Sequence, residues 1–297
     1  MALNLNLLRS FWQVAQAGSV SGAAQSGFVS QPALSKAVKE LEQQVGLPLL
    51  ERRARGVTLT EAGNTLFEYA SAIFALEREA QDALRAQKSL VGTTLRIGAS
   101  TTLATYVLPP LLAQFSTKFP ETHFSLARDN TRQIEAKLLD FELDVAMVEG
   151  PPHSAKIRKT WWRDEELILI CSPAHRFAAK GTVSFQELAQ CKWLLREQGS
   201  GTREVVETAL ERWNLPLCDA LEFSGAESLK QAVAANLGVS FVSREAAQDQ
   251  LALGRVKTLT TPDFSLRRPF YLLHLPGRPL SPAAKAFEKF LLVNQER

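Results

Sequence analysis

The chain has 297 residues, with 34 lysines and arginines against 31 aspartates and glutamates and a formal net charge of +3. Apolar residues make up 45% and charged residues 22%, an ordinary globular mixture that excludes disordered, collagen-like and purely coiled-coil chains. No apolar run is long enough to cross a membrane, no secretory leader is recognisable and the three cysteines lie far apart, so we expect a cytoplasmic protein of two domains without disulfides.

The first 46 residues have the pattern of a helix-turn-helix. Apolar residues repeat at helical spacing from Leu7 to Ala15, and a second, short helix follows. Ser30 is placed to cap a third helix, whose apolar stripe leaves Lys36 and Lys39 on the solvent side. Such a helix lies in the major groove of DNA in helix-turn-helix proteins. A face with two lysines also suits a merely solvated surface.

A basic hairpin is predicted next. The segments 49–51 and 57–59 are short strand candidates, and the turn between them carries Arg52, Arg53 and Arg55. Arginines at such a tip suit the phosphates that flank a bound groove. An arginine cluster alone does not establish that role, which depends on the helices beside it.

A long helix is predicted from residue 61 to residue 88, with Thr60 as its cap. Its apolar positions alternate in steps of four and three, the heptad pattern by which helices pair between subunits. The seam consists of Ala62, Leu66, Tyr69, Ile73, Leu76, Ala80 and Ala83. We therefore expect a dimerisation helix, although a seam this short also fits packing within one domain.

Beyond a short hinge at residues 89–93, strand-like and helical segments alternate to the end of the chain. This alternation predicts α/β layers around mostly parallel sheets. A segment of this length predicts two lobes, with the chain crossing over near residues 162 and 267. Lobe I then comprises residues 94–161 and 268–297, and lobe II comprises residues 162–267. Such folds bind ligands at the carboxyl ends of strands, in the cleft between the lobes.

Three polar segments follow strands and precede helices, where hydroxyls and free backbone N–H groups form anion sites. They are Ser100, Thr101 and Thr102; Asn130 and Thr131; and the run Gly199, Ser200, Gly201, Thr202 and Arg203. In the third segment the glycines admit a close approach and Arg203 adds positive charge. Serines and threonines also cap helices routinely, so each segment has that plainer role open to it. Glu149 and Glu227 either line the cleft or pair with Arg203.

The sequence contains no recognisable catalytic or metal motif. Its four histidines are scattered, and no HExxH, GxSxG, CxxC or P-loop pattern occurs. We expect no enzyme activity, no cofactor and no metal. A solute-binding protein would fit residues 94–297, but the helices before them and the missing leader oppose it. A DNA-binding protein with a vestigial cleft that only dimerises is a further alternative.

The segment SQPALSKAVKELEQQVGLPLLERRARGVTLTEAG, residues 30–63, resembles the DNA-binding signature of the LysR-type transcriptional regulators. The resemblance is gapless over residues 1–88 and implies an N-terminal all-α winged helix-turn-helix domain (residues 1–60) with a long linker helix. It also implies a C-terminal α/β effector domain of two lobes, similar to periplasmic binding proteins. The implied DNA contacts are Ser30, Gln31, Pro32, Ala33, Ser35, Lys36 and Lys39 on the helix, and Arg52, Arg53 and Arg55 on the wing. Gly27 departs from the family pattern, which has a bulky apolar residue there.

The resemblance further implies a double-stranded DNA operator and RNA polymerase as partners, a homodimer through the linker helix and a homotetramer through the effector domains. The stretches MVEGP, LREQGSGTR and SGAESLKQAVAANLGVSFVS resemble the branch that contains regulators of sulfur assimilation, sulfite response and the Calvin cycle. Effectors of that branch tend to be small anions or phosphorylated metabolites. A sulfite- or sulfate-like oxyanion or a phosphorylated metabolite is therefore expected between the lobes, and a different organic acid is the alternative.

Overall fold

The computed structural model describes residues 3–27, 29–53, 56–86, 93–215, 217, 220–261 and 265–295. The chain divides into two compact units, residues 1–81 and residues 82–297. The predicted hinge at residues 89–93 lies outside the described residues, apart from Thr93. The limits of that hinge and of the domains beside it therefore stay a prediction.

The first unit consists of three helices, a short hairpin and a long helix. Its elements are α1 (Leu5–Ala17), α2 (Val20–Gly27), α3 (Gln31–Val45), β1 (Leu50–Arg52), β2 (Val57–Leu59) and α4 (Glu61–Ala86), the last of which continues into the second unit. The side chain of Asn4 caps α1 by accepting from the backbone N–H of Asn6 at 2.9 Å. Gly18 ends that helix in the left-handed conformation, at φ 62°.

One apolar core joins the three short helices to α4. It contains Leu8, Phe11, Val14, Ala23, Ala24, Leu34, Val38, Leu41, Leu49, Ala70 and Phe74. In α3 the buried stripe is the predicted one, because it follows from helical spacing alone. In α1 the stripe is centred on Leu8, whereas the sequence predicts Leu7, which is half-buried. Because Leu7 and Leu8 are adjacent, helical spacing alone does not decide which of the two faces the core; the packing of the other helices does.

The hairpin is fastened to the turn between α1 and α2. Strands β1 and β2 pair antiparallel, with Glu51 opposite Thr58. The N–H of Val57 donates to the carbonyl oxygen of Gly18 at 2.9 Å. Gly56 has φ +94°, and a Cβ at this position would lie 2.3 Å from the same oxygen. Only glycine therefore allows the hairpin to approach the turn this closely.

The second unit alternates strands and helices. Its elements are β3 (Thr94–Ser100), a π-helical turn (Leu103–Val107), α5 (Leu108–Lys118), β4 (His123–Asp129), α6 (Thr131–Leu139), β5 (Val145–Glu149), β6 (Arg158–Cys171), α7 (Phe185–Leu188), β7 (Leu194–Arg196), α8 (Gly201–Arg212), β8 (Leu221–Phe223), α9 (Ala226–Ala234), β9 (Ser240–Ser243), α10 (Arg244–Ala252), β10 (Lys257–Leu259), β11 (Leu266–His274) and α11 (Pro282–Val293). Pro109 and Pro110 lack a backbone N–H, so the carbonyls four residues before them receive no α-helical hydrogen bond. This loss favours the wider π turn ahead of α5, a conformation found most often at functional sites.

Seven strands form one mixed sheet, in the order β10, β6, β11, β5, β3 and β4, with β9 also pairing with β6. Strand β3 runs parallel to β4 and β5, but β11 runs antiparallel to both β5 and β6. The prediction of mostly parallel sheets is therefore wrong for this sheet, in which β6 also runs antiparallel to β9 and β10. Strand β6 takes the chain out of one lobe and β11 brings it back, so the two must run in opposite directions.

Each lobe has its own apolar core clusters, and the largest cluster of each includes residues of both long strands. Trp162 on β6 and Phe270 on β11 belong to the core of lobe I, which also contains Phe115 and Phe287. Leu167 on β6 and Leu266 on β11 belong to the core of lobe II, which also contains Trp193 and Phe241. Both long strands thus pass from one lobe to the other, and the cleft between the lobes lies where they cross.

Candidate functional site

Helix α3 presents a polar face outside the core of the first unit. Ser30 is its N-cap, and the Ser30 Oγ accepts from the backbone N–H of Ala33 at 3.4 Å. The Lys36 side chain is 80% exposed and stands 3.8 Å from Glu40 Oε1, too weak a pairing to hold it. The predicted positions on this helix are all exposed or half-buried: Ser30, Gln31, Pro32, Ala33, Ser35, Lys36 and Lys39. Most of them lie in the first two turns of the helix, and Lys39 lies one turn further along.

The hairpin places one arginine clearly in solvent. The Arg53 side chain is 62% exposed, and its guanidinium donates to Glu51 Oε2 at 2.7 Å and to Thr58 Oγ1 at 3.2 Å. Arg52 ends β1, and Arg55 lies outside the described residues. The guanidinium of Arg53 is thus steadied on its own hairpin and still open to an anion.

Helix α4 keeps part of its predicted seam on the surface of the first unit. Tyr69 is 66% exposed and Leu76 is 45% exposed, whereas Ala70 and Phe74 are buried in the core. A groove of about 480 Å³ runs beside the exposed stripe, and its walls include Leu47, which is 54% exposed. Part of the predicted seam is thus open to solvent in the first unit.

The first predicted effector segment ends β3 and is largely buried. Ser100 and Thr102 are 1% and 2% exposed, and Thr101 is half-buried. The Ser100 Oγ accepts from the backbone N–H of Glu149 at 3.3 Å, and the Thr101 Oγ1 donates to the carbonyl of Asp129 at 3.3 Å. These bonds join β3 to its two neighbours, β5 and β4, at the carboxyl ends of all three strands.

Asn130 and Thr131 connect this edge to lobe II. Asn130 caps α6 by accepting from a backbone N–H of the first turn at 3.0 Å, and its Nδ2 donates to the carbonyl of Gln198 at 3.4 Å. The Thr131 Oγ1 donates to the carbonyl of Glu149 at 3.2 Å and accepts from the N–H of Gly201 at 3.2 Å. Asn130 therefore fills the capping role and also contacts the second lobe.

The glycines of the third segment allow the two lobes to touch. A Cβ on Gly201 would lie 1.8 Å from the carbonyl oxygen of Glu149, so no other residue fits there. The carbonyl of Gly199 accepts from the N–H of Arg132 at 3.1 Å. The glycines admit a close approach by the backbone of lobe I, and the close approach of a ligand stays a prediction.

A buried ionic cluster lies beside this contact. Arg268 on β11 is fully buried, and its Nε donates to Glu165 Oε2 at 2.7 Å. Its Nη1 donates to the Thr202 Oγ1 and lies 3.5 Å from Glu149 Oε1. The Thr202 Oγ1 in turn donates to Glu149 Oε1 at 3.4 Å. Since Glu149 and Glu165 are 1% and 6% exposed, two buried carboxylates share one guanidinium.

Arg203 does not join this cluster. Its Nε donates to Glu207 Oε1 at 2.7 Å, and its Nη1 donates to the carbonyl of Arg196 at 2.9 Å and to Glu222 Oε2 at 2.5 Å. The expectation that Arg203 supplies positive charge beside Ser200 and Thr202 is not met in this structure, because two carboxylates of lobe II already neutralise its guanidinium. The open alternative in which Glu149 or Glu227 pairs with Arg203 is wrong as well, since Glu149 meets Arg268.

Glu227 belongs to a second contact between the lobes. Its carboxylate accepts from the Nζ of Lys230 at 2.7 Å and from the hydroxyl of Tyr106, which lies in the π-helical turn of lobe I. Lys230 is 2% exposed and also donates to the Tyr106 hydroxyl at 3.0 Å. Burial, with the hydrogen bond and charge of Glu227, raises the pKa of Tyr106 far above its usual value. Tyr106 therefore stays a neutral donor.

A third contact between the lobes is made by His153. Its Nδ1 lies 3.0 Å from Glu135 Oε1 on α6, and its Nε2 lies 3.0 Å from both carboxylate oxygens of Glu204 on α8. Burial of the ring opposes protonation, but the hydrogen bonds and negative charges of the two glutamates outweigh it and raise the pKa of His153 above 6.5. The protonated ring thus bridges a carboxylate of each lobe.

Three charged residues of these contacts were not predicted from the sequence: Arg268, Glu165 and Lys230. Strand β11 alternates between buried and exposed residues, and this alternation puts Arg268 on the buried face with Leu266 and Phe270. A charged residue at an inward position of an alternating strand was a readable signal. The sequence also carried a weaker signal for Lys230. It lies three residues after Glu227, and residues at this spacing on a helix can form an ion pair.

A larger cleft of about 600 Å³ lies elsewhere, between α8 and the start of β11. Its walls include Arg212, Trp213 and Arg267, and none of the predicted effector residues lines it.

Among the described residues, no group of histidine, cysteine and acidic side chains is arranged to hold a metal ion. None of the helices in that part of the chain combines the length and the hydropathy of a membrane-spanning segment.

Two family models match the chain. The model of the bacterial regulatory helix-turn-helix protein of the lysR family matches residues 5–64, and the model of the LysR substrate binding domain matches residues 88–294. The RuBisCO operon transcriptional regulator of Allochromatium vinosum is 33% identical over 297 residues, which are 100% of this chain and 98% of that relative. The resemblance to the LysR-type regulators and to their Calvin-cycle branch is thereby confirmed.

Solved structures agree on the architecture. A full-length OxyR variant from Pseudomonas aeruginosa is 25% identical, with a TM-score of 0.80, over 98% of this chain and 95% of that one. The CcmR regulatory domain from Synechocystis PCC6803, in complex with 2-PG, is 28% identical, with a TM-score of 0.63, over 69% of this chain and 98% of that one. The predicted combination of a helix-turn-helix domain and a two-lobed α/β domain is confirmed.

Proposed function

The chain belongs to the LysR family of transcriptional regulators, and on this premise we propose that a small anion bound between its lobes sets its activity on DNA. Regulators of this family bind DNA through the helix-turn-helix domain and small-molecule effectors through the C-terminal domain, and they form oligomers. The named relatives are regulators of transcription rather than enzymes. Because the proposed activity takes place on DNA, we assign the protein to the cytoplasm.

On the DNA side, the start of α3 would enter the major groove and the hairpin would lie over the flanking phosphates. The exposure of Lys36 and its lack of a firm partner support a contact to DNA. The free side of the Arg53 guanidinium supports a phosphate contact, which positions the protein without reading sequence. Ser30, Gln31, Pro32, Ala33, Ser35 and Lys39 complete the proposed contact surface on the helix, with Arg52 and Arg55 on the hairpin.

Two copies would pair through α4. Tyr69 and Leu76 supply exposed apolar surface to such a pair, and a coiled contact of this kind holds two recognition helices at a fixed distance. Half-sites about one helical turn of DNA apart would suit that geometry. Pairing of effector domains would then build the tetramer, and RNA polymerase is the further partner that the family implies.

The effector site is proposed at the junction of the lobes. The observation that carries it is the convergence of the three predicted polar segments on Glu149: Ser100 and Thr131 of lobe I bond to its backbone, and Gly201 and Thr202 of lobe II meet its carbonyl and its carboxylate beside Arg268. The N-terminus of α8, a helix of 12 residues, adds N–H groups and a positive dipole end. The ligand bound to the CcmR regulatory domain supports a phosphorylated effector, and a sulfite- or sulfate-like oxyanion suits the same groups.

The lobes are closed over this site. Ser100, Ser200 and Thr202 are at most 4% exposed, so a ligand reaches them only when the lobes move apart. The ligand then favours whichever lobe angle binds it more tightly, by no more than its difference in affinity for the two arrangements. A change of lobe angle in each protomer would alter the spacing of the DNA-binding pairs.

A thermal-shift screen of the full chain tests the proposal, with sulfate, sulfite, phosphate and phosphorylated or carboxylated metabolites as ligands. At least one small anion is expected to raise the Tm, and Thr202→Val is expected to abolish the rise because it removes the hydroxyl at the junction. Thr208→Val is the matched control, since Thr208 lies two turns further along α8 and is exposed. No shift with any anion, or an equal shift in T202V, would overturn the assignment.

A further inference from the structure

The carboxylate of Glu149 is only half satisfied. Its Oε1 accepts from Thr202 and faces the Arg268 guanidinium, but its Oε2 has no hydrogen-bonding partner among the described residues. The residue is 1% exposed, so water does not take the place of a partner from the bulk solvent. A buried charged acceptor without a donor is unfavourable and marks a place where a donor is missing.

The neighbouring guanidinium is committed to another carboxylate. The Nε of Arg268 donates to Glu165 Oε2 at 2.7 Å, and its Nη2 lies 2.6 Å from the same carboxylate oxygen. The other oxygen of Glu165 accepts from the hydroxyl of Ser243. The Nε bond holds the guanidinium on Glu165, and Nη1 donates to Thr202, whereas Nη2 makes no hydrogen bond among the described residues although it lies close to Glu165. Glu149 Oε2 still has no donor there.

Glu149 also has a fixed position. Its backbone N–H donates to Ser100 Oγ at 3.3 Å, and its carbonyl accepts from Thr131 Oγ1 at 3.2 Å. Gly201 packs directly against that carbonyl. These contacts fix the backbone from which the Glu149 carboxylate extends, at the point where the two lobes meet.

A second unsatisfied group lies at the same junction. Ser200 is 2% exposed, and its Oγ has no hydrogen-bonding partner within the described part of the chain. It stands at the N-cap of α8 yet makes no capping bond with its side chain. Its hydroxyl therefore remains available to an acceptor, whereas the N–H of the next residue, Gly201, already donates to Thr131 Oγ1.

We propose that Glu149 selects the effector by accepting a hydrogen bond from an O–H group on it. The ligand is an oxyacid anion that still carries a proton or a hydroxyl: its charged oxygens meet Ser200, Thr202 and the N-terminus of α8, and its O–H meets Glu149 Oε2. A fully deprotonated oxyanion such as sulfate leaves the carboxylate unpaired and is repelled by it. This inference rests on the proposed function and narrows the class of effector within it.

Phosphate and sulfate form the sharpest pair of probes. They share tetrahedral shape and similar size, but near neutral pH phosphate carries an O–H and sulfate does not. Titration calorimetry of the full chain at matched ionic strength is expected to show phosphate binding about 100-fold more tightly, the order that follows when a buried polar atom loses its partner. A second pair, glycerol 3-phosphate against propyl phosphate at about pH 8, tests for a carbon-borne hydroxyl, because a phosphate monoester has lost its last proton there. A preference within either pair supports the inference and identifies the source of the O–H.

Glu149→Gln keeps the shape of the side chain and replaces an acceptor with an N–H donor. The preference is expected to disappear or reverse in this variant, and Glu211→Gln, which removes the same charge from an exposed position on α8, is expected to retain it. Equal affinities within both pairs in the unaltered chain, or a preference that survives in a folded E149Q, would overturn the inference while leaving the proposed function intact. Binding of neither phosphate, sulfate nor the organic phosphates would also overturn the inference, and the proposed function falls with it only if no anion in the thermal-shift screen binds either.

Discussion

The imidazole of His153 on lobe I faces both carboxylate oxygens of Glu204 on lobe II at 3.0 Å. Its other nitrogen meets Glu135, which is buried on its own lobe. The ring therefore joins two acidic groups that would otherwise repel each other across the cleft, and it does so best when it carries a proton. The contact between the lobes is for this reason linked to pH.

We expect the stabilising effect of protonated His153 to be complete below pH 6.5, the ordinary pKa of a histidine. The effect should be lost as the pH rises through the higher pKa that His153 has in the folded protein. The side chain is 41% exposed, so solvent screens the pair and the change in Tm should be about 2 °C or less. Melting curves of the full chain from about pH 6 to about pH 9 measure it. His153→Gln should flatten that dependence, and His123→Gln, at an exposed position of β4, should not. An unchanged pH profile in H153Q would show that the bridge contributes nothing.

Gly201→Ala should force the lobes apart. The added Cβ would lie 1.8 Å from the carbonyl oxygen of Glu149, and backbone on both sides leaves little room to yield. We expect a loss of about 1–3 kcal/mol in the free energy of unfolding, as for other overpacked sites, measured by denaturant titration. Gly27→Ala is the control, because a Cβ there meets only side-chain atoms at 3.8 Å or more. Equal stability of G201A and the unaltered chain would mean that the lobes do not touch at this point.

Lys36→Ala should weaken binding to DNA. The side chain is 80% exposed at the start of α3, and a lysine that reaches a base edge or a phosphate typically contributes about 1–3 kcal/mol. Gel-shift titrations at one fixed salt concentration, on a fragment selected in vitro for binding, measure the effect. Lys285→Ala removes the same charge from an exposed position of α11 and should leave the affinity unchanged. If K36A binds as tightly as that control, Lys36 lies outside the interface.

Leu76→Glu should weaken self-association. The side chain is 45% exposed in the single chain, and a carboxylate inside a paired apolar seam would lose its water without gaining a partner. We expect at least about 10-fold weaker pairing, seen as a lower mass in sedimentation equilibrium. Asn64→Glu adds the same charge at an exposed position of α4 outside the seam and should preserve the mass. A full-size assembly in L76E would place the subunit contact elsewhere.

Local pattern predicted much of the fold, because helix faces and strand alternation depend on near neighbours in the sequence. The stripe of α3 and the cap at Ser30 follow directly from spacing and side-chain chemistry. The pairing of β6 with β11 does not, since it joins segments about 100 residues apart, and the expectation of parallel strands fails there.

The same division holds within the candidate site. Polar residues at the ends of strands indicated the junction, because the carboxyl ends of neighbouring strands meet at one edge of a sheet. The guanidinium of Arg203 is neutralised in part by Glu222, which lies on strand β8, and no spacing rule predicts that ion pair. Its bond to Glu207 was open to prediction, since the two are four residues apart on one helix. The buried position of Arg268 could be predicted from the alternation along β11, but its pairing with Glu149 and Glu165 could not.

The crossing of β6 and β11 limits how the lobes move. The two strands are hydrogen-bonded neighbours, and their register slips between Phe270 and Tyr271, which face Arg163 and Trp161. Trp162 is the extra residue, and its indole nitrogen is anchored to the carbonyl of Leu291 at 3.0 Å. A bulge interrupts the ladder, bends its strand and increases the local twist, so it is a place where the pair of strands can bend. We therefore expect the lobes to rotate about a single hinge axis at this bulge. Ligands of different shape would then change only the angle by which the cleft opens.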